Sequence, residues 1–122
     1  MDKRPVMHID IVTANREATA EFYASMFGWD VSHDQIPYTW FKAENISGGF
    51  VDMQKGLSAV REQVSENDVI LYLPSEDIDG DLQRVEALGG KVLIPKTQAG
   101  EGHYVALFTD PNGVRLGFAG GK

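Results

Sequence analysis

Met7-His8-Ile9-Asp10-Ile11-Val12 followed by Glu21-Phe22-Tyr23-Ala24-Ser25-Met26-Phe27-Gly28-Trp29-Asp30-Val31 is one half of a degenerate internal repeat. The other half is Val69-Ile70-Leu71-Tyr72-Leu73 followed by Gln83-Arg84-Val85-Glu86-Ala87-Leu88-Gly89-Gly90-Lys91-Val92. Each copy reads as a short apolar strand, an amphipathic helix, a glycine and a second β-prone run. Superposing Gly28 on Gly89 sets an offset of 61 residues, and superposing Tyr23 on Val85 sets 62. Two copies of this length predict two half-domains that share a core and enclose a cleft. Each half then serves as a control for the chemistry of the other.

The first strand is expected over residues 6–13. Asn15 is placed to cap the helix that follows, with Glu17 in its first turn. Phe22, Tyr23, Met26 and Phe27 share one helical face by spacing, and Gly28 can take the left-handed conformation that ends the helix. Strands are expected near 29–34, 38–43 and 48–54, then a polar connector over 55–67. In the second copy a strand near 68–74 precedes a helix capped by Asp77, with an apolar stripe of Ile78, Leu82, Val85 and Leu88. Strands follow near 91–96, 103–109 and 114–119. Asp110-Pro111-Asn112-Gly113 joins the last two as a hairpin, with proline fixing φ and glycine in the left-handed position.

Bulk properties narrow the function. The chain of 122 residues is the size of one ordinary domain and carries a formal charge of −7. Phosphate-backbone binding needs clustered Lys and Arg, so no nucleic-acid partner is expected. No apolar run approaches the ~20 residues that span a bilayer, so no membrane partner is expected. With no cysteine there is no disulfide framework and no thiolate nucleophile or ligand, and a cytoplasmic location is the default. The serines lack a nucleophile-elbow context, and no phosphate loop is present.

Three stretches together resemble the vicinal oxygen chelate superfamily, the group of glyoxalase I, bleomycin-resistance proteins, extradiol dioxygenases and fosfomycin-resistance proteins. They are Glu21-Phe22-Tyr23 through Phe27-Gly28-Trp29, Leu88-Gly89-Gly90-Lys91-Val92, and Phe108-Thr109-Asp110-Pro111-Asn112-Gly113-Val114-Arg115-Leu116. The resemblance covers nearly the whole chain and implies a single α+β domain over 1–122. Two βαβββ modules, about 5–54 and 68–120, would form an eight-stranded cup-like sheet with the helices on its convex side. Alternation then turns Ile9 and Ile11 toward the helix and His8, Asp10 and Val12 toward the cup. On the last strand Val114, Leu116 and Phe118 would pack outward, leaving Arg115, Gly117 and Ala119 inward.

Metal-dependent members of that superfamily carry a ligand, commonly His, on the first strand of each module and another, commonly Glu, on the last. His8 matches the first position. Its repeat counterpart is Val69 or Ile70, and Gly117 stands where a carboxylate is often found. Asp52 is the nearest carboxylate at the end of the first module. The resemblance therefore implies a ligand pocket lined by His8, Asp10, Trp40, Asp52, Tyr104 and Arg115, with no cofactor expected. Tyr38 and Trp40 share one strand face and Phe41 the other, and an aromatic wall with polar tips is what a small-molecule pocket requires. Arg115 would meet a ligand carboxylate or phosphate. His33 reads as a surface residue and His103 as part of a glycine-flanked turn.

The first functional reading is a glyoxalase/bleomycin-resistance-like protein that binds a small organic molecule without a catalytic metal. The alternative is a lyase, isomerase or dioxygenase in which a divalent metal binds His8 and Asp52. A homodimer is expected in both cases.

Overall fold

The computed structural model describes residues 3–35, 38–52, 63–65 and 67–121, except the side chains of Asp34, Gln35 and Asp52. The chain is α+β and divides into two compact units, Met7–Val69 and Ile70–Lys122 with the N-terminal arm to Val6. The connector expected over 55–67 falls mostly outside the described residues.

The first unit contains β1 (His8–Thr13), α1 (Arg16–Phe27), β2 (Asp30–Gln35), β3 (Tyr38–Lys42) and β4 (Ser47–Asp52). Its strands lie in the order β2-β3-β4-β1, with β1 and β4 parallel and the other neighbours antiparallel. The second unit repeats this plan with β5 (Val69–Pro74), α2 (Ile78–Ala87), β6 (Lys91–Gly100), β7 (His103–Thr109) and β8 (Arg115–Gly120). Its order is β5-β8-β7-β6, again with one parallel pair, β5 with β8. The internal repeat is thus two βαβββ modules of one topology.

Local chemistry sets the helix ends. The Asn15 side chain accepts from the Ala18 N–H at 3.0 Å, and the Asp77 side chain accepts from the Gly80 N–H at 3.1 Å. Gly28 ends α1 at φ 72°, and Gly89 follows α2 at φ 95°. At the last hairpin, Asp110 Oδ1 accepts from the N–H groups of Asn112 and Val114 at 2.9 and 3.0 Å, and Gly113 has φ 94°.

Each module buries one sheet face under its helix. In the first, Ala20 of α1 packs with Phe41 and Phe50, joined by Ile9, Ile11, Tyr23, Trp29 and Val31. In the second, Ile78 and Leu82 of α2 pack with Ala106, Phe108 and Phe118, joined by Leu73, Val85, Val92, Tyr104 and Leu116. Ile9 and Ile11 face the helix as alternation requires, and so do Leu116 and Phe118.

Three expectations are corrected. Phe22, Met26 and Phe27 do not turn into the core with Tyr23; they are 61%, 66% and 54% exposed. A face of four bulky residues is wider than the strip α1 offers to the sheet, and Ala20 takes the close contact. Leu88 lies past the end of α2 and is exposed. Strand β6 runs on to Gly100 because register shifts let it follow β7, and Pro95 is accommodated because β6 is an outer strand.

Candidate functional site

In the first module the face opposite α1 is built from cross-strand rows. His8 pairs with Ser47 and Ser47 with Lys42, while Asp10 pairs with Gly49 and Gly49 with Trp40. Paired residues share a face, so His8, Asp10, Gly49 and Trp40 come together there. His8 Nε2 lies 2.6 Å from Asp10 Oδ1, with the two side chains 22% and 18% exposed. The Trp40 ring stands edge-on to the imidazole, 5.9 Å between centroids at 68°. Tyr38 continues the aromatic surface, 5.6 Å from Trp40 with a tilt of 34°. Phe41 points the other way, into the core.

Of the residues expected in the pocket, His8, Asp10 and Trp40 are therefore gathered on one patch. Asp52 is not with them. Its backbone pairs with Thr13 at the far end of the ladder that begins at His8–Ser47. Five strand residues separate the two positions, about 16 Å at the usual rise per residue. That span exceeds what an imidazole and a carboxylate bridge through one ion, so His8 and Asp52 do not form a chelating pair. The Asp52 side chain lies outside the described residues.

In the second module Arg115 opens β8 opposite Thr109, in phase with Gly117 and Ala119. Tyr104 pairs with Gly120 and so stands in phase with Phe118, on the helix-packed face. Its ring carries Lys96 Nζ at 4.7 Å from the centroid. Tyr104 is thereby corrected from a pocket residue to a core-edge residue. Beginning a strand does not say which face comes first, and pairing with β8 decides it.

The metal positions fare no better on geometry. A β-carbon on Gly117 would overlap the ring of Tyr72, which is itself buried. The place of the usual carboxylate is filled by an aromatic side chain, not merely emptied. Val69 and Ile70 offer no donor, and His8 Nε2 is engaged by Asp10. Among the described residues no three of His, Asp and Glu gather around one point. Among the described residues, the four positions that hold metal in superfamily relatives do not supply a full set of donors.

One polar cluster has no counterpart in the sequence reading. Arg16, 9% exposed at the first position of α1, donates from Nη1 to Thr39 Oγ1 at 3.1 Å. His33 Nδ1 lies 2.8 Å from the same hydroxyl, so this imidazole is tied to the fold although the residue is exposed. A cation in a first helical turn opposes the helix dipole, and that mismatch was the signal available in the sequence. His103 sits exposed at the tight β6–β7 turn, where Gly100 pairs with it.

A model of the Glyoxalase/Bleomycin resistance protein/Dioxygenase superfamily matches residues 6–118. The chain belongs to this superfamily. A curated relative, the candidate glyoxylase CFP32 of Mycobacterium tuberculosis, is 23% identical over 111 residues, which cover 89% of this chain. The chain spans only 42% of that relative's length. Among solved structures, methylmalonyl-CoA epimerase of Streptomyces coelicolor in complex with 2-nitronate-propionyl-CoA matches with a TM-score of 0.69 at 20% identity. The match covers 97% of this chain and 94% of that one. The protein BH1468 of Bacillus halodurans matches with a TM-score of 0.70 at 14% identity, covering 97% and 94%. These likenesses establish the glyoxalase-type fold. Among the described residues no helix is long and apolar enough to cross a membrane.

Proposed function

We propose that this superfamily member binds a small organic molecule on the sheet face that carries His8, Asp10, Trp40 and Tyr38, without a resident metal. The observation that carries the reading is the hydrogen-bonded His8–Asp10 pair set beside two aromatic rings on the face turned away from the core. Such a patch offers apolar area with a few fixed polar tips, the composition of small-molecule sites. Arg115 remains a proposed contact for a ligand carboxylate or phosphate.

The alternative is a divalent-metal lyase, isomerase or dioxygenase. Among the described residues it rests on His8 with Asp10 beside it, since the backbone of Asp52 lies five positions along the ladder from His8. The reading we favour places the protein in the cytoplasm as a homodimer. Support for the dimer comes from comparing the repeats. Phe22, Met26 and Phe27 expose an apolar face on α1, while the equivalent positions in the second module are Gln83, Ala87 and Leu88.

The test is a ligand screen read by thermal shift and tryptophan fluorescence, beginning with aromatic, cationic and carbonyl-bearing compounds. Carbonyl compounds are included because the relatives are named for a glyoxylase and an epimerase. A bound compound should raise the melting temperature, and W40A should remove the effect. Stoichiometric metal in chelator-free protein, lost in H8A, would favour the alternative.

A further inference from the structure

We propose that Asn112 is a site of spontaneous covalent modification, at which the Gly113 backbone nitrogen closes on the Asn112 carboxamide and the hydrogen bonds of Asp110 set the rate.

Asparagine is a thermolabile residue, and its side chain cyclises fastest where the next residue has no side chain to crowd the ring. The chain has four asparagines, and the residues that follow them are Arg16, Ile46, Asp68 and Gly113. Only Asn112 precedes a glycine. Asn112 and Gly113 are both exposed on the β7–β8 turn. The space beside Gly113 is open, since a β-carbon built there would meet no atom within 4 Å. Water and base therefore reach the reacting groups, as they do at exposed loop tips.

In the step, Gly113 N gives its proton to solvent base and its electron pair forms a bond to Asn112 Cγ. The Cγ–Nδ2 bond breaks, and Nδ2 takes a proton and leaves as ammonia. One water then opens the five-membered succinimide. Attack at Cγ gives aspartate. Attack at the main-chain carbonyl gives isoaspartate, whose chain runs on through Cβ and Cγ. Either product carries a carboxylate where the carboxamide stood, and no oxidant or reductant takes part.

The turn opposes this chemistry. Gly113 N–H donates to the Asp110 carbonyl at 3.1 Å, so the nucleophile is held in a bond that must open first. Asp110 Oδ1 also holds the N–H groups on either side, those of Asn112 at 2.9 Å and Val114 at 3.0 Å. Asp110 N–H in turn donates to Val114 O at 2.9 Å. Reaction then proceeds from local openings of the turn, whose population Asp110 controls. Isoaspartate lengthens the backbone inside this set of bonds, so the set cannot close in the product and the hairpin loosens.

The full chain is incubated at mildly alkaline pH, folded in buffer and unfolded in guanidinium chloride, and peptide mapping by mass spectrometry follows each asparagine. Asn112 should convert in the folded protein at least about tenfold more slowly than in the unfolded chain, the protection that a modest opening free energy gives. Asn15, Asn45 and Asn67 should stay intact in the folded protein over the same period. D110A should raise the folded-state rate several-fold. The isoaspartate fraction should melt below unconverted protein, while N112D, which has the charge without the longer chain, should melt close to it. Asn112 that stays intact while the unfolded chain converts overturns the site, and so does conversion spread evenly over all four asparagines. Equal rates in folded and unfolded protein, or in folded wild type and D110A, overturn the control by the turn. If the denaturation midpoint shows D110A to be unfolded, hydrogen exchange of the wild-type Gly113 amide decides. Protection that matches the slowed conversion supports the proposal, and an unprotected amide refutes it.

Discussion

Tyr72 and Gly117 share one volume: they are paired across β5 and β8, and any β-carbon at 117 would enter the Tyr72 ring. Replacing Gly117 with alanine should therefore cost about 1–3 kcal/mol, the range for overpacking a filled interior. In a Y72A background the same change should cost under about 0.5 kcal/mol, because the ring that it strikes is gone. Urea denaturation of the four proteins reads this as midpoints at constant slope. Equal costs in both backgrounds would mean that Gly117 is needed for another reason.

The outer face of α1 carries a second prediction. F22D should weaken the proposed homodimer by at least about tenfold, the effect of losing a central apolar anchor. Phe22 is 61% exposed in the single chain, so the folded protomer should keep its melting temperature to within a degree or two. The equivalent change in the second module, Q83D, should leave association unaffected. Sedimentation equilibrium over a dilution series measures both, and a monomer at all concentrations in the wild type refutes the assembly.

Much of this fold was legible because punctuation and period act locally. Asn15, Gly28, Asp77 and the Asp110–Gly113 turn each fix a chain direction through their own backbone bonds. The faces of β1 and β8 were legible because apolar residues alternate with His8, Asp10, Arg115 and Gly117. Legibility failed where a neighbour decides. Tyr104 changes face according to its pairing with Gly120, and Phe22 is exposed because Ala20 takes the contact with the sheet. Asp52 failed for a third reason: a strand position can be assigned from period while its distance along a parallel ladder cannot. Thr39 looked like any strand threonine, and only the structure shows two polar side chains meeting on it.

That junction yields a stability prediction. The Thr39 hydroxyl is fully buried, accepts from Arg16 and can donate to His33 Nδ1. T39V keeps the shape and removes both bonds, leaving a buried guanidinium without this partner. A loss of about 1–3 kcal/mol is expected, the cost of stripping buried polar groups. Replacing the cation as well, in R16M/T39V, should recover part of it, since an apolar pair of similar volume carries no desolvated charge. Denaturation of the double variant below the level of T39V would show that Arg16 stabilises the module by some other contact.

The N-terminal arm gives a pH prediction with a definite sign. Arg4 forks onto Asp81, with Nη1–Oδ2 at 2.6 Å and Nη2–Oδ1 at 2.9 Å, and its guanidinium lies 5.8 Å from the centre of the Phe118 ring. The hydrogen bonds from Arg4 hold the Asp81 carboxyl below the ordinary carboxylate range, with help from the Ser75 hydroxyl, against the opposing effect of burial. A carboxyl whose pKa is lower in the folded state contributes stability that is fully present above its unfolded value, near 3.8. That contribution is lost as pH falls through the lower folded value. Arg4 stays charged throughout this range, so it adds no pH dependence of its own. At neutral pH, R4A should cost up to about 1 kcal/mol, because the pair is partly exposed and screened by solvent. The gap between wild type and R4A should hold from neutral pH down to about 4 and narrow below it, and D81N should flatten the same limb. Urea midpoints across an acid pH series at fixed ionic strength measure this. A gap that stays constant down to low pH would show that Arg4 acts mainly through Phe118 and not through the carboxylate.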